Sequence, residues 1–181
     1  MAASDAVESE FGLADSGPIR YIDRTRNYYL TLGFGNPYQW AHHRDVPFTP
    51  LTKPLAESKL GLFSTAAPFR DELGDQGPGA AYNSAAKFYK VYAGSLEPAP
   101  DVRISHLGYD RIHTTAADSN TYFPRDRLLE VEASGRVGEV SKRFYGLPTN
   151  RSQKVTVEQD CVDMLRLARE DNIDVAVLVP N

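Results

Sequence analysis

The chain is short of several things, and each shortage closes off a class of function. It has one cysteine in 181 residues, Cys161. It therefore cannot build an intramolecular disulfide framework or a multi-cysteine zinc or iron–sulfur site by itself, and a reducing compartment is expected. Cations are not in excess: 20 Lys and Arg stand against 24 Asp and Glu, a formal net charge of -4. That balance leaves nothing to neutralise a phosphate backbone or an anionic membrane surface, so neither nucleic acid nor membrane is an expected partner. The longest clean apolar run, Val175 to Val179, is far short of the ~20 residues that span a bilayer. Met1 to Asp15 holds acids but no Lys or Arg, unlike a secretory signal or a transit peptide. A soluble cytoplasmic protein is the expectation.

What is present is ordinary globular material, 41% hydrophobic and 24% charged, outside the composition range of disordered chains. Residues 1–15 read as a mobile arm and residues 16–181 as one α/β domain. Ser16-Gly17-Pro18 offers a helix start before Ile22, Tyr29 and Leu30 at helical spacing, and Gly33-Phe34-Gly35-Asn36-Pro37 offers a stop. Pro37, Pro47, Pro50 and Pro54 then impose an extended connection whose aromatics need something to pack on. Lys59 to Ser64 reads as a buried strand, followed by a long Gly/Pro-rich loop from Asp71 to Tyr82. Ala85 to Tyr92 fits strand and helix spacing alike, and Val102 to Leu107 alternates as a second strand.

Pro124-Arg125-Asp126 opens a helix over Leu128, Leu129 and Val131 that Gly135 or Gly138 can end. Arg143 to Leu147 is a third strand. The clearest helix runs from about Val155 to Asp171, with Val157, Cys161, Met164, Leu165 and Ala168 as one apolar stripe. On that stripe Cys161 reads as inert core packing, because burial disfavours the thiolate. Val175 to Val179 closes the chain as a strand covered on both faces. Strands alternating with helices predict a mainly parallel sheet with flanking helices, Rossmann-like and incomplete at its C-terminal end, where no helix follows the last strand.

The densest polar constellation is His106, Asp110, His113, Thr114, Thr115 and Asp118, at and beyond the end of the second strand. A histidine beside a carboxylate suits general acid–base chemistry, and His106, His113 and Asp118 together can ligate a metal for hydrolysis or lysis. The His-x6-His spacing fits neither a helical zinc pair nor a regular strand, so structural hydrogen bonding stands beside both readings. Thr65, with Ser64, ends the first strand where a ligand carboxylate or phosphate can be held, although a simple turn explains the pair equally. Thr149, Asn150 and Arg151 form a polar strand-end loop suited to an anion, with helix capping by Thr149 or Ser152 as the alternative. His42-His43 next to Trp40 is a weaker signal, since neighbours on an extended chain face opposite ways. Gly74 to Gly79 lacks the Lys-Ser/Thr ending of a phosphate loop and reads as a loop or lid.

The order of motifs carries a further reading. Tyr21 to Phe34, Tyr38-x-Trp40, Pro47 to Leu55, Ser64-Thr65-Ala66-Ala67, Ile104-Ser105-His106 with Tyr109-Asp110, Tyr122-Phe123-Pro124, Arg127-Leu128 with Gly135-Arg136-Val137-Gly138, and Asp174 to Pro180 follow one another along the chain. From about Pro18 onward the set resembles the selenoprotein B family of glycine, sarcosine, betaine and D-proline reductases.

The resemblance implies the N-terminal portion of a reductase subunit. In that family the last strand and its proline lead into a redox-active selenocysteine or cysteine, which would follow Asn181, and a UGA codon read as stop would end the chain there. It implies reductive cleavage of a small amine or related substrate. A selenolate attacks the substrate carbon, the amine leaves, and a carbonyl group on a partner subunit activates the substrate. His106 and Asp110 would then be catalytic, and Thr65, His113, Thr149, Asn150 and Arg151 would bind substrate. No metal or other cofactor is expected in this chain, which would be inactive alone. A partner subunit, a dithiol electron donor and self-association are the expected company. A non-catalytic small-molecule-binding or assembly subunit is the rival reading, and the metal-assisted hydrolase or lyase the third.

Overall fold

The computed structural model describes residues 20–35, 43–74, 76, 87–104, 109, 113, 115–149 and 152–181. The chain divides into two units, Met1–Arg44 and Asp45–Asn181. The first contains α1, Tyr21–Thr31. An ion pair at 2.6 Å between Arg20 Nε and Asp23 ties its first turn. At the other end Phe34 N donates to Tyr29 O at 3.2 Å around Gly33, and Tyr28, Tyr29 and Phe34 meet edge to face. The expected start at Ser16-Gly17-Pro18, like Trp40 and His42, lies outside the described residues.

The second unit is a mixed α/β structure with a mostly parallel sheet. From Asp45 to Pro54 the chain has no helix or strand, as its prolines require. Its Phe48 is 93% exposed, so the expected packing partner for that ring is not found. Strand β1, Lys59–Ser64, is the centre of the sheet. The short β2, Ala67–Pro68, follows it, then β3, Tyr92–Ser95, and β4, Val102–Arg103. Beyond these lie helix α2, Arg125–Ala133, and strands β5, Glu139–Val140, and β6, Arg143–Gly146. A continuous helix runs as α3, Gln153–Val155, through a π-helical stretch, Thr156–Asp160, into α4, Cys161–Glu170, and β7, Val175–Val179, comes last.

On one side β1 pairs in parallel with β5 and then β6, and on the other with β7 along Leu60–Ser64. Between β5 and β6, Ser141 and Lys142 are extra residues that bulge the strand, and Ser141 N still donates to Leu60 O at 2.7 Å. β3 runs antiparallel outside β6. The resulting order is β3, then β5/β6, then β1, then β7.

Strand alternation divides the apolar residues between two faces. Leu62 and Phe144 pack with Val102, Ile104, Tyr122 and Phe123 on one face, closed by Leu128 and Leu129 of α2. Phe63 and Tyr145 stack on the other, ring centroids 4.4 Å apart, under Met164, Leu167 and Ala168 of α4. Helix α2 ends as read from the sequence: Gly135, at φ +72°, lets Arg136 N reach back to Val131 O.

Three expectations are corrected. The strand from Val102 forms only two described residues of ladder, and it pairs antiparallel with β2 in a separate small sheet. β7 is not covered on both faces. Among the described residues it pairs with β1 alone, as an edge strand, and its Val177 and Val179 pack inward while Leu178 is 58% exposed. Cys161 is exposed, not core, because the helix presents Met164, Leu167 and Ala168 to the sheet and the thiol sits on the flank beside them.

Candidate functional site at the parallel strand ends

The C-terminal ends of β1, β6 and β7 lie level, since Ser64 is paired with both Gly146 and Val179. The ladders continue one step further. Leu147 N donates to Ser64 O at 2.9 Å, and Thr65 N to Val179 O at 3.3 Å. Thr65, Leu147–Thr149 and Pro180–Asn181 therefore emerge together at one rim of the sheet, the usual ligand end of a parallel sheet.

Asn181 is pinned there by both its backbone and its side chain. Its N–H donates to Thr65 Oγ1 at 2.8 Å, and the same hydroxyl donates to the main-chain oxygen of Asn181 at 3.1 Å. Its side-chain amide donates to Ser64 Oγ at 3.3 Å and Tyr122 O at 3.2 Å. Ser64 Oγ is saturated, since it also donates to Tyr122 O and accepts from Ala66 N. Asn181 Oδ1 is left buried with no partner, an acceptor in search of a donor.

The rim beyond β6 brings in residues that sequence reasoning missed. Lys87 Nζ donates to Thr149 Oγ1 at 2.9 Å, and partial burial holds its amine below the ordinary lysine value. Tyr92, the first residue of β3, lays its ring over Gly146, where a Cβ would come within 1.9 Å of the ring. Only glycine admits that approach. The ring meets Phe88 and Phe144 edge to face, and its hydroxyl is buried with no partner. Burial pushes the Tyr92 phenol well above its ordinary range. Lys87 with Thr149 beyond β6, Tyr92 at the start of β3, and Thr65 with Asn181 beyond β1 and β7 thus all lie along one rim of the sheet. The only sequence signal for Lys87 and Tyr92 was an undecided Ala85–Tyr92 segment, because neither helix nor strand spacing shows which loop folds over a sheet rim.

Of the other predicted site residues, His106, Asp110, Asn150 and Arg151 lie outside the described residues, as does Thr114. His113 is exposed. Asp118 is engaged locally: its carboxylate accepts from Asn120 N and Nδ2 at 2.9 Å each. Those bonds hold it below the ordinary carboxylate range and cap the short 3-10 turn Ser119–Thr121. Among the described residues no three His, Cys, Asp or Glu side chains come together as ligands for a metal ion, and no described helix is long and apolar enough to cross a membrane.

The opposite end of the sheet carries an open polar depression of about 570 Å³ beside Lys53, Glu57, Lys59 and Asp174. Its charges are matched internally, Lys53 to Asp174 at 2.7 Å and Lys59 to Glu139 at 2.9 Å, which makes it a solvated ion network at the strand starts. The strand-end rim, with two unpartnered buried polar atoms, is the better candidate for chemistry.

Comparison of the chain with protein-family models, with curated proteins and with solved structures gave no match.

Proposed function

We propose that this chain is the N-terminal, substrate-side portion of a selenol- or thiol-dependent reductase subunit of the glycine/sarcosine/betaine/D-proline reductase type, with its sheet a Rossmann-like half. The observation that carries the reading is the anchoring of Asn181 by Thr65, Ser64 and Tyr122 at the strand-end rim. A redox residue placed directly after Asn181 would start beside Thr65 and within the same rim as Thr149 and Lys87. A following helix would present free N–H groups that stabilise a selenolate or thiolate. In this reading the anion attacks the substrate carbon and the amine leaves with a proton from His106, which Asp110 orients. Thr65, His113, Thr149, Asn150 and Arg151 hold the substrate. A dithiol donor then cleaves the carbon–selenium or carbon–sulfur bond of the resulting selenoether or thioether, becoming a disulfide as two electrons and a proton pass to the substrate carbon and the selenolate or thiolate is regenerated, and a partner subunit supplies the activating carbonyl. The chain without the redox residue does not turn over.

The test is the coding sequence beyond codon 181, followed by the extended protein with cysteine at the redox position. In-frame UGA or a cysteine codon followed by further coding sequence, and a reducible thiol that Cys161→Ser leaves intact, are expected. An ordinary stop codon, or UGA with no resumed frame, overturns the proposal.

A second reading has an observation of its own. The Lys87–Thr149 pair and the unpartnered Tyr92 hydroxyl suit a binding subunit that holds a small acid without reacting with it. If the extended protein, supplied with its partner and a dithiol, turns over no amine substrate yet binds small acids in a Lys87-dependent way, this second reading replaces the first.

A further inference from the structure

We infer that a second copy of this chain docks on the outward face of α4, the two helices lying antiparallel about a two-fold axis that passes between Asp163 and Met164. The surface is independent of the strand-end rim and of the function proposed for it.

The two sides of α4 have different surroundings. Met164, Leu167 and Ala168 lie on Phe63 and Tyr145, which commits one side of the helix to the sheet. Glu158, Val162, Leu165 and Arg169 follow one another at intervals of four, three and four residues, the spacing of a coiled-coil seam. That places them together on the side turned away from the sheet, and all four are exposed. Val162 is 60% and Leu165 47% exposed. Two branched apolar side chains therefore stand in water at the centre of a stripe that has a carboxylate at one end and a guanidinium at the other.

The charges identify the occupant. Off the stripe, the charges of α4 are met within the chain: Arg166 lies 2.5 Å from Glu170 and 3.9 Å from Asp163, and Glu170 also approaches Arg143 at 3.7 Å. Among the described residues no ion pair engages Glu158 or Arg169. Glu158 stands four residues before Val162 and Arg169 four residues after Leu165, so the two pairs are centred on the same point of the helix. A two-fold axis through that point sets Val162 against the partner's Leu165 and Glu158 against the partner's Arg169, each contact made twice. The two ion pairs then close the ends of the apolar centre, about 16 Å apart along the helices.

The same charges reject the alternative arrangement. Parallel helices in register would bring Glu158 against the partner's Glu158 and Arg169 against the partner's Arg169, so repulsion at both ends selects the antiparallel pair. Helices meeting through such a seam pack with axes about 8–10 Å apart, and nothing larger than Leu165 or Arg169 stands between them. A single helix seam buries less than the roughly 1,200 Å² of a stable complex, which makes the dimer weak and concentration-dependent.

Sedimentation velocity on the 181-residue protein over roughly 10–500 μM, the range suited to so small an interface, is expected to show a monomer–dimer equilibrium. Glu158→Arg and Arg169→Glu each weaken it about tenfold, since two ion pairs become two like-charge contacts. The two substitutions combined in one chain restore it, and an equimolar mixture of the two single variants forms a heterodimer where neither alone associates well. Leu165→Lys abolishes the dimer with an unchanged far-UV spectrum. A monomer at every concentration overturns the inference. So does a dimer indifferent to the charge exchange and to Leu165→Lys, which would place the contact on another face of the chain.

Discussion

The contact between Tyr92 and Gly146 can be put to a quantitative test, because it decides whether the β6 rim is built as described. A Cβ at position 146 would lie 1.9 Å from Tyr92 Cε1 and 2.4 Å from Cζ, where ordinary contact begins near 3.4 Å. The ring would have to retreat by about 1.5 Å, and it is wedged against Phe88 and Phe144 at centroid distances of 5.2 and 5.8 Å. Overpacking of this kind costs about 1–3 kcal/mol. Gly146→Ala is therefore expected to lower the unfolding free energy by that amount, read as a lower urea midpoint with the m-value unchanged. Tyr92→Val removes the ring and carries its own cost, but in that background Gly146→Ala should cost close to nothing. The double-mutant cycle then returns a coupling about equal to the single Gly146→Ala penalty. If Gly146→Ala is neutral, or if the two penalties simply add, the ring does not lie over Gly146 and the Tyr92 hydroxyl is not part of the rim.

Four further outcomes are expected. Burial pushes the Asp171 carboxyl upward, but hydrogen bonds from Arg143 and Tyr145 outweigh it and hold the group below its ordinary value. Its stabilisation is complete above the unfolded value of about 3.9 and is lost as pH falls through the folded one. Asp171→Asn should cost about 1–3 kcal/mol at neutral pH and progressively less on acidification below pH ~4, and a penalty that does not change with pH would refute this. Burial, joined by the bond to the same carboxylate, pushes the Tyr145 phenol up to about 12, so ultraviolet titration should show that tyrosine ionising only as the fold is lost. Cys161, exposed on α4, should react with an aromatic disulfide reagent in native buffer as fast as after denaturation, and protection in the native state would return it to the core. Thr65→Val deletes both bonds to the Asn181 backbone and should lower stability by about 1–2 kcal/mol, with new protease sensitivity at the last residues. A variant as stable and as resistant as the parent would remove the anchor from the argument.

Several elements were legible in the amino-acid order because local chemistry determines them. Lys59–Ser64 is a near-continuous apolar run, and it became the central strand. Arg125–Ala133 has a proline before it and Gly135 after it, and the helix starts and stops accordingly. Arg143–Gly146 and Val175–Val179 were equally plain as strands. Their neighbours were not. A parallel ladder is chosen by long-range pairing across more than a hundred residues, which no window of sequence contains. This is why Val175–Val179 read as a doubly covered strand and proved to be an edge. It is also why Val102–Arg103 left the main sheet for a two-residue antiparallel pair.

Cys161 shows the same division within one helix. Its position on a 3.6-residue stripe with Met164 and Ala168 was correct, but the stripe is wider than the strip of sheet beneath it. Which edge is wetted depends on where the helix axis lies relative to Phe63 and Tyr145, and the π-helical turn just before Cys161 shifts that phase. The candidate site divides likewise. Thr65 and Thr149 were identified from the sequence because strand ends in a parallel sheet face ligands. Lys87, Tyr92 and Asn181 were recognised only once the fold brought three strand ends level and laid one ring over one glycine. Sequence by itself determined which segments become strands and helices, since capping, periodicity and backbone freedom act within a few residues. Tertiary structure decided which strand is the edge, which thiol meets water and which polar atoms share a rim, since those follow from contacts between segments far apart along the chain.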